Sequence, residues 1–148
     1  MKRFQNISAN FIAGFSFAVL LLLVPMNIIS QDHKAQEAQK VFSSFEDGLS
    51  SGAVDKFSNY FCEKNYLSLS NGITGYYSSN QSYYVLKDYL SIYKPISFKL
   101  INIVTDTSTP FASGVLRYSS NGIRGTASVF VSLQHIDSKW HISQITIN

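Results

Sequence analysis

Four runs of alternating apolar and polar residues fill the chain from Ile96 to its end: Ile96 to Thr105, Phe111 to Tyr118, Ile123 to His135 and Trp140 to Ile147. A period of two describes a half-buried strand, and no helix can place such a pattern on one face. Turn residues separate the runs at Ser108 to Pro110, Ser119 to Gly122 and Asp137-Ser138, and Asn121-Gly122 is a strong two-residue hairpin signal. The C-terminal part is therefore expected to be an antiparallel meander. In Thr126 to Gln134, Ala127, Val129, Val131 and Leu133 mark one face for burial while Thr126, Ser128, Ser132 and Gln134 mark the other for solvent, with Phe130 the exception. A sheet covered on one side needs helices to cover it.

The helices are expected upstream. Ala38, Val41, Phe42, Phe45 and Leu49 recur at helical spacing between an Asp32 start and a Gly52 stop, which predicts an amphipathic helix over Asp32 to Ser51. Val54, Phe57 and Phe61 repeat the spacing and suggest a short second helix over Ala53 to Tyr60. Tyr66 to Ser70 then alternates into a strand that ends at the turn dipeptide Asn71-Gly72. After a short segment holding Tyr76 and Tyr77, Ser79 is expected to cap a third helix running to about Tyr93, with Val85, Leu86, Tyr89, Leu90 and Tyr93 inward and Pro95 as its stop. The predicted fold is α+β, with helices packed on one face of a curved antiparallel sheet in the order α-α-β-α-β-β-β-β.

The first thirty residues are set apart. Lys2 and Arg3 precede the apolar run Phe11 to Val24, which Pro25 and Asn27 break before Ser30-Gln31. That is the layout of a secretion signal, here without an Ala-x-Ala triplet. Two readings follow: cleavage after Ser30, or an uncleaved anchor formed by Phe11 to Ile29, close to the roughly 20 residues that span a bilayer. Residues 31–148 remain as one domain, expected to work outside the cytoplasm, in the periplasm or beyond. Membrane contact is expected only through an uncleaved N-terminal segment.

Charge and cysteine use exclude several partners and chemistries. Lys2 and Arg3 account for two of the twelve basic side chains, which leaves ten against nine acidic ones, too even a balance for a nucleic-acid footprint. Cys62 is the only cysteine, so no internal disulfide is possible and stability must come from packing. It lies far beyond the apolar run, where it cannot serve for lipid attachment, and with Glu63 beside it a buried, unreactive thiol is expected. His33, His135 and His141 are the full histidine supply. The last two could meet diagonally across the final hairpin, but two histidines make no zinc site, and no metal or other cofactor is expected. No P-loop and no G-x-S-x-G elbow occurs.

The stretches VFSSFEDGLSSGAVDKFSNYF, SYYVLKDYL, GVLRYSSNGIRGTASVFVSL and the closing WHISQITI resemble a family of small secreted Bacteroidota proteins of unknown function. The element order resembles the nuclear transport factor 2-like, or cystatin-like, cone fold. The resemblance covers about Lys34 to Asn148 and implies a shape and an exported bacterial origin. Catalytic relatives in the wider superfamily, such as ketosteroid isomerase, carry carboxylates inside the cone. Here the acid near that position, Glu63, is expected at the start of the strand, Phe42 and Phe45 occupy the first helix, and Asp106 and Asp137 fall at strand ends or turns. The family's catalytic residues do not carry over.

Tyrosine offers the remaining lead. Seven of the nine tyrosines fall between Tyr66 and Tyr93, and Tyr89 and Tyr93 are expected to point toward the concave side of the sheet, where Phe45 and Trp140 could join them. These four residues are the candidate ligand site, a mouth suited to a small apolar or sugar-like molecule, or else rings that simply close the cone. Arg117 and Arg124 are expected to sit opposite each other in their hairpin, where like charges destabilise and an acid or an anionic ligand would compensate. The functional expectation is an exported, non-enzymatic binding or interaction module whose partner is such a ligand or an envelope protein. The alternatives are a structural or assembly protein acting as a homodimer, or an enzyme with an unrecognised site in the cone.

Overall fold

No proline follows Pro25 before Pro95, so nothing in the chain obliges the first helix to wait for Asp32. In the computed structural model, which describes residues 26–148, helix α1 spans Met26–Ser51. The expected signal features, from Lys2 to Val24, lie outside the described residues. Among the described residues no helix is long and apolar enough to cross a membrane. The C-terminus of α1 is a complete Schellman motif: Ala53 N–H donates to the Gly48 carbonyl at 2.8 Å and Gly52 N–H to the Leu49 carbonyl at 3.4 Å, with Gly52 at φ +68°. Gly48 is small for a different reason. A Cβ there would meet the Phe57 ring and, at 2.8 Å, the Ala53 carbonyl oxygen, so glycine lets the next element fold back against α1.

That element, α2, is only Asp55–Ser58, shorter than the expected Ala53 to Tyr60. The chain leaves it early because strand β1 begins at Phe61 and runs to Leu69. Glu63 is therefore inside the strand rather than at its start, and it is exposed. Cys62 is buried, as expected, and desolvation pushes its thiol above the ordinary value. The Tyr76-Tyr77 segment is a strand of its own, β2 (Thr74–Ser78), antiparallel to β1 with Tyr66 beside Tyr76. It is short and carries Gly75, so its local pattern is weak and pairing makes it a strand. Ser78, not Ser79, caps helix α3 (Ser79–Ile92): its side chain accepts from Gln81 N–H while the Gln81 side chain accepts from Ser78 N–H.

Strands β3 (Lys94–Val104), β4 (Phe111–Ser120), β5 (Ile123–Ile136) and β6 (Lys139–Ile147) follow as the meander. Both of the later hairpins use two-residue loops with positive φ, Asn121-Gly122 and Asp137-Ser138, the geometry that matches strand twist. The sheet order is β2-β1-β6-β5-β4-β3. Its one departure from the antiparallel expectation is β1, which lies parallel to β6, because the returning chain crosses over through α3 and the meander before β6 arrives. Side-chain alternation is the same for either strand direction. The core lies between this sheet and the helices, where Phe42, Phe45 and Leu49 of α1 and Leu86 and Tyr89 of α3 meet Leu116, Val131, Leu133, Ile142 and Ile145. Phe130 breaks the alternation because it serves the other face, where its ring stacks on Phe111 at 5.8 Å.

Strand β3 is a sheet edge, and α1 covers part of its unpaired backbone. Ser50 Oγ donates to the Phe98 carbonyl at 2.9 Å, and the Glu46 carboxylate accepts from Leu100 N–H at 2.8 Å and from Lys99 Nζ at 2.8 Å. Such capping blunts the edge against pairing with another chain. Burial raises the Glu46 pKa, but the Lys99 hydrogen bond, the Leu100 N–H and the Lys99 charge outweigh it, so the carboxyl sits below its ordinary value. A depressed carboxyl contributes stability above its unfolded-state pKa and loses it as pH falls through the folded-state value. Glu46→Gln is expected to be less stable than wild type by about 1 kcal/mol at neutral pH, with the gap closing in acid. Thermal unfolding of both proteins across pH checks this, and a gap that does not change with pH would show that the charge contributes nothing.

Candidate functional site

The Asp137-Ser138 turn sets Trp140 directly across from His135 on β5, where the two rings meet edge-on at 4.7 Å. Trp140 is only 6% exposed, and its Nε1 donates to the Lys34 carbonyl of α1 at 2.9 Å. Successive residues on a strand point to opposite faces, so His141 projects away from His135. The expected diagonal meeting of the two histidines does not occur. Just beyond, Ile142 N–H donates to the Tyr60 carbonyl at 2.6 Å, which ties the corner between α2 and β1 to the start of β6.

These ties leave a cleft of about 360 Å³ between three elements, lined by Glu37, Lys40 and Val41 from α1, Asn59 and Tyr60 from the corner, and Lys139, Trp140 and His141 from β6. Its size falls at the lower end of small-molecule sites. The apolar wall is Val41 with the Tyr60 and Trp140 rings. The polar wall is unbalanced: Glu37 lies 3.6 Å from His33, while neither Lys40 nor Lys139 forms an ion pair among the described residues. Nδ1 of His141 is buried and has no hydrogen-bond partner among the described residues. A buried polar atom without a partner calls for an explanation. Together the lining offers an aromatic bed and two ammonium donors.

Residues 30–148 match a family described as a domain of unknown function, DUF4783. The chain belongs to that family. Among solved structures it is similar to a DUF4783 protein from Bacteroides uniformis ATCC 8492, at 18% identity over 72% of this chain and 94% of that one, with a TM-score of 0.65. It is similar to a second DUF4783 protein, from Bacteroides ovatus ATCC 8483, at 19% identity over 69% and 88% with a TM-score of 0.61. A protein of unknown function with a cystatin-like fold from Nostoc punctiforme aligns at 16% identity over 76% and 87% with a TM-score of 0.55. No curated protein matches. The fold of this DUF4783 domain is thus nuclear transport factor 2-like, or cystatin-like, as the element order implied.

Of the four residues expected to form a ligand mouth, the DUF4783 fold brings only Tyr89 and Tyr93 together, and only Trp140 borders the cleft. Phe45 is fully buried, edge-on to Phe57 at 5.1 Å and to Phe98 at 5.8 Å. Tyr89 is 1% exposed; its ring stacks on Tyr93 at 4.6 Å, and its hydroxyl is 2.8 Å from Ser70 Oγ. Desolvation raises the Tyr89 phenol above its ordinary value. Tyr93 in turn meets Tyr118 edge-on at 5.2 Å. The rings pack against one another there, and Phe45, Tyr89 and Tyr93 are not among the residues that line the Trp140 cleft. Nothing in the sequence singles out Tyr60, Asn59, Lys40 or Lys139, because none belongs to a motif and they come from three separate elements, and His141 stands out there only as a possible neighbour of His135. Asp106 and Asp137 are exposed at the loop after β3 and in the β5–β6 turn. Among the described residues no group of three or more His, Cys, Asp or Glu is placed to hold a metal ion.

The two arginines are not directly opposite. The two-residue loop pairs Ser120 with Ile123, so the register counts back to Ser119 beside Arg124 and Arg117 beside Thr126. Arg117 and Arg124 are diagonal neighbours on one face.

Proposed function

We propose that this DUF4783 domain is an exported, non-enzymatic binding module that holds a small amphipathic acid in the Trp140 cleft. The observation that carries this reading is the pairing of an aromatic wall, Tyr60 and Trp140, with Lys40 and Lys139 in one concavity. An apolar body would cover the rings, and an anionic head would take up donors that the protein leaves without an acid. A non-catalytic role is supported by the interior: among the described residues the buried polar side chains are Asn65, Ser82 and Ser132, and Asn65 and Ser82 are bonded to each other. A proton shuttle of the isomerase kind needs a buried carboxylate. Export is supported by Lys2, Arg3 and the apolar run Phe11 to Val24; N-terminal sequencing of the protein from its own cell distinguishes a start near Gln31 from one at Met1.

Trp140 is the only tryptophan, which makes the cleft self-reporting. Titration with a fatty-acid series is expected to give a saturable change in its emission, whereas the matching neutral alcohols and neutral oligosaccharides give a weaker response or none. Lys40→Met should weaken the acid response about tenfold or more, the loss expected for one charge-assisted bond. Equal responses to acids and alcohols, or no response to either, would overturn the proposal.

A further inference from the structure

The outer face of the β4–β5 hairpin carries an electrostatic arrangement that the protein itself does not complete. The hairpin closes through the short Asn121-Gly122 loop, both residues at positive φ, so the strand positions on either side are held in register. Arg117 lies beside Thr126 and Arg124 beside Ser119, which places the two arginine Cβ atoms at the diagonal spacing of about 7–8 Å or less. Both side chains line a concavity of about 390 Å³ together with Ile96, Gly125 and Thr126. The ion pairs among the described residues are His33 with Glu37 and Lys99 with Glu46; no acidic side chain among them reaches either guanidinium. Two adjacent like charges with no counter-charge are a small standing cost to the fold.

We infer that Arg117 and Arg124 form a receptor for a phosphomonoester group, separate from the Trp140 cleft. Each guanidinium presents a planar fork of donors that takes two oxygens at once. A carboxylate has two oxygens and is used up by one fork. A terminal phosphoryl group has three, enough to bridge two forks, and its charge of about −1.5 to −2 at neutral pH matches the pair. The Thr126 hydroxyl supplies a further donor on the same face. Ile96, half exposed at the rim, offers an apolar surface to the organic part of the ester.

The test uses inorganic phosphate as probe, with sulfate, acetate and chloride at matched ionic strength, and reads the arginine Nε–Hε resonances of the full domain by NMR. Phosphate is expected to shift the Arg117 and Arg124 signals saturably, sulfate more weakly, and acetate and chloride not at all. Arg117→Gln and Arg124→Gln should each weaken phosphate binding at least tenfold, and Arg124→Lys, which keeps the charge but loses the fork, should weaken it as well. Arg124→Glu supplies the missing counter-charge: it should abolish the phosphate response while raising the unfolding temperature slightly. Equal shifts with chloride or acetate, or phosphate binding that survives Arg124→Gln, would overturn the receptor. Sulfate binding as tight as phosphate would overturn the phosphomonoester assignment. A large loss of stability in Arg124→Glu would mean that the pair already holds an internal acid, and the inference would fall with it.

Discussion

Phe45→Ala is expected to lower folding stability by about 3 to 5 kcal/mol, the range for emptying a buried aromatic site. The ring has no solvent exposure and stands edge-on to both Phe57 and Phe98, so it joins α1, α2 and the edge strand β3 at one point. Edge-to-face pairs add about 0.5–1.5 kcal/mol each beyond burial, and the two are not independent, because both partners relax into the same cavity. With Cys62 the only cysteine, no disulfide limits the damage. Urea unfolding of Phe45→Ala and Phe45→Leu measures it, with leucine recovering much of the loss by refilling the volume. A loss below about 1 kcal/mol in the alanine variant, the ordinary range for sites outside the core, would instead place Phe45 beside an open cavity and restore it as a candidate ligand contact. Trp140 emission in the same samples gives a second readout, since Phe45 does not line the cleft and a folded variant should keep its acid response.

Asn65→Ala is expected to be of similar size for a polar reason, at about 3 kcal/mol or more. The pairing of β1 with β6 slips between Phe61 beside Ile142 and Tyr66 beside Gln144, and the extra residues of β1 bulge so that Glu63 and Lys64 reach solvent while Cys62 and Asn65 on either side stay buried. Asn65, fully buried, holds the bulge by acting as a substitute backbone. Its Oδ1 accepts from Cys62 N–H at 3.0 Å, and its Nδ2 donates to the Cys62 carbonyl at 3.0 Å and to Ser82 Oγ at 3.1 Å. Alanine would strand a donor and an acceptor on Cys62 at about 1–3 kcal/mol apiece. Ser82→Ala removes one of the three bonds and should lose about 1 kcal/mol. Amide hydrogen exchange separates local from global effects: the Cys62 N–H should lose its protection in Asn65→Ala beyond the global change. Unchanged protection there would show that the slip is held by something else. The corner that holds Asn59 and Tyr60 directly precedes this bulge, so the variant should also weaken the cleft's response to acids.

Asn65 shows why part of the candidate site was not readable beforehand. In the sequence it is one polar residue before an alternating run, indistinguishable from a loop asparagine, and its role appears only when Ser82 of α3 is brought against it from 17 residues away. Trp140 could be picked out as a rare aromatic ring beside a turn. Its partner at Lys34 is 106 residues distant, and the cleft walls Lys40, Tyr60 and His141 carry no shared spacing. Tyr89 lies on the buried face of α3 and Tyr93 follows as its C-cap, but periodicity says only that a ring points inward. Whether it then meets space or another ring depends on neighbours such as Ser70 and Tyr118.

What the order of residues determined alone is what short-range chemistry controls. The 3.6-residue period with Gly52 made α1, the apolar set around Leu86 and Tyr89 made α3, and the period of two with Asn121-Gly122 and Asp137-Ser138 made the hairpins of β4, β5 and β6, since helix pitch, strand pleat and turn dihedrals are fixed by residues within a few positions of one another. Only the tertiary structure decided that Tyr76 and Tyr77 form a strand, that β1 runs parallel to β6, that Glu46 caps the Leu100 edge, and that no acid among the described residues pairs with Arg117 or Arg124. Each of these depends on a pairing or a contact between segments whose local pattern is the same whichever partner, direction or register the folded chain selects.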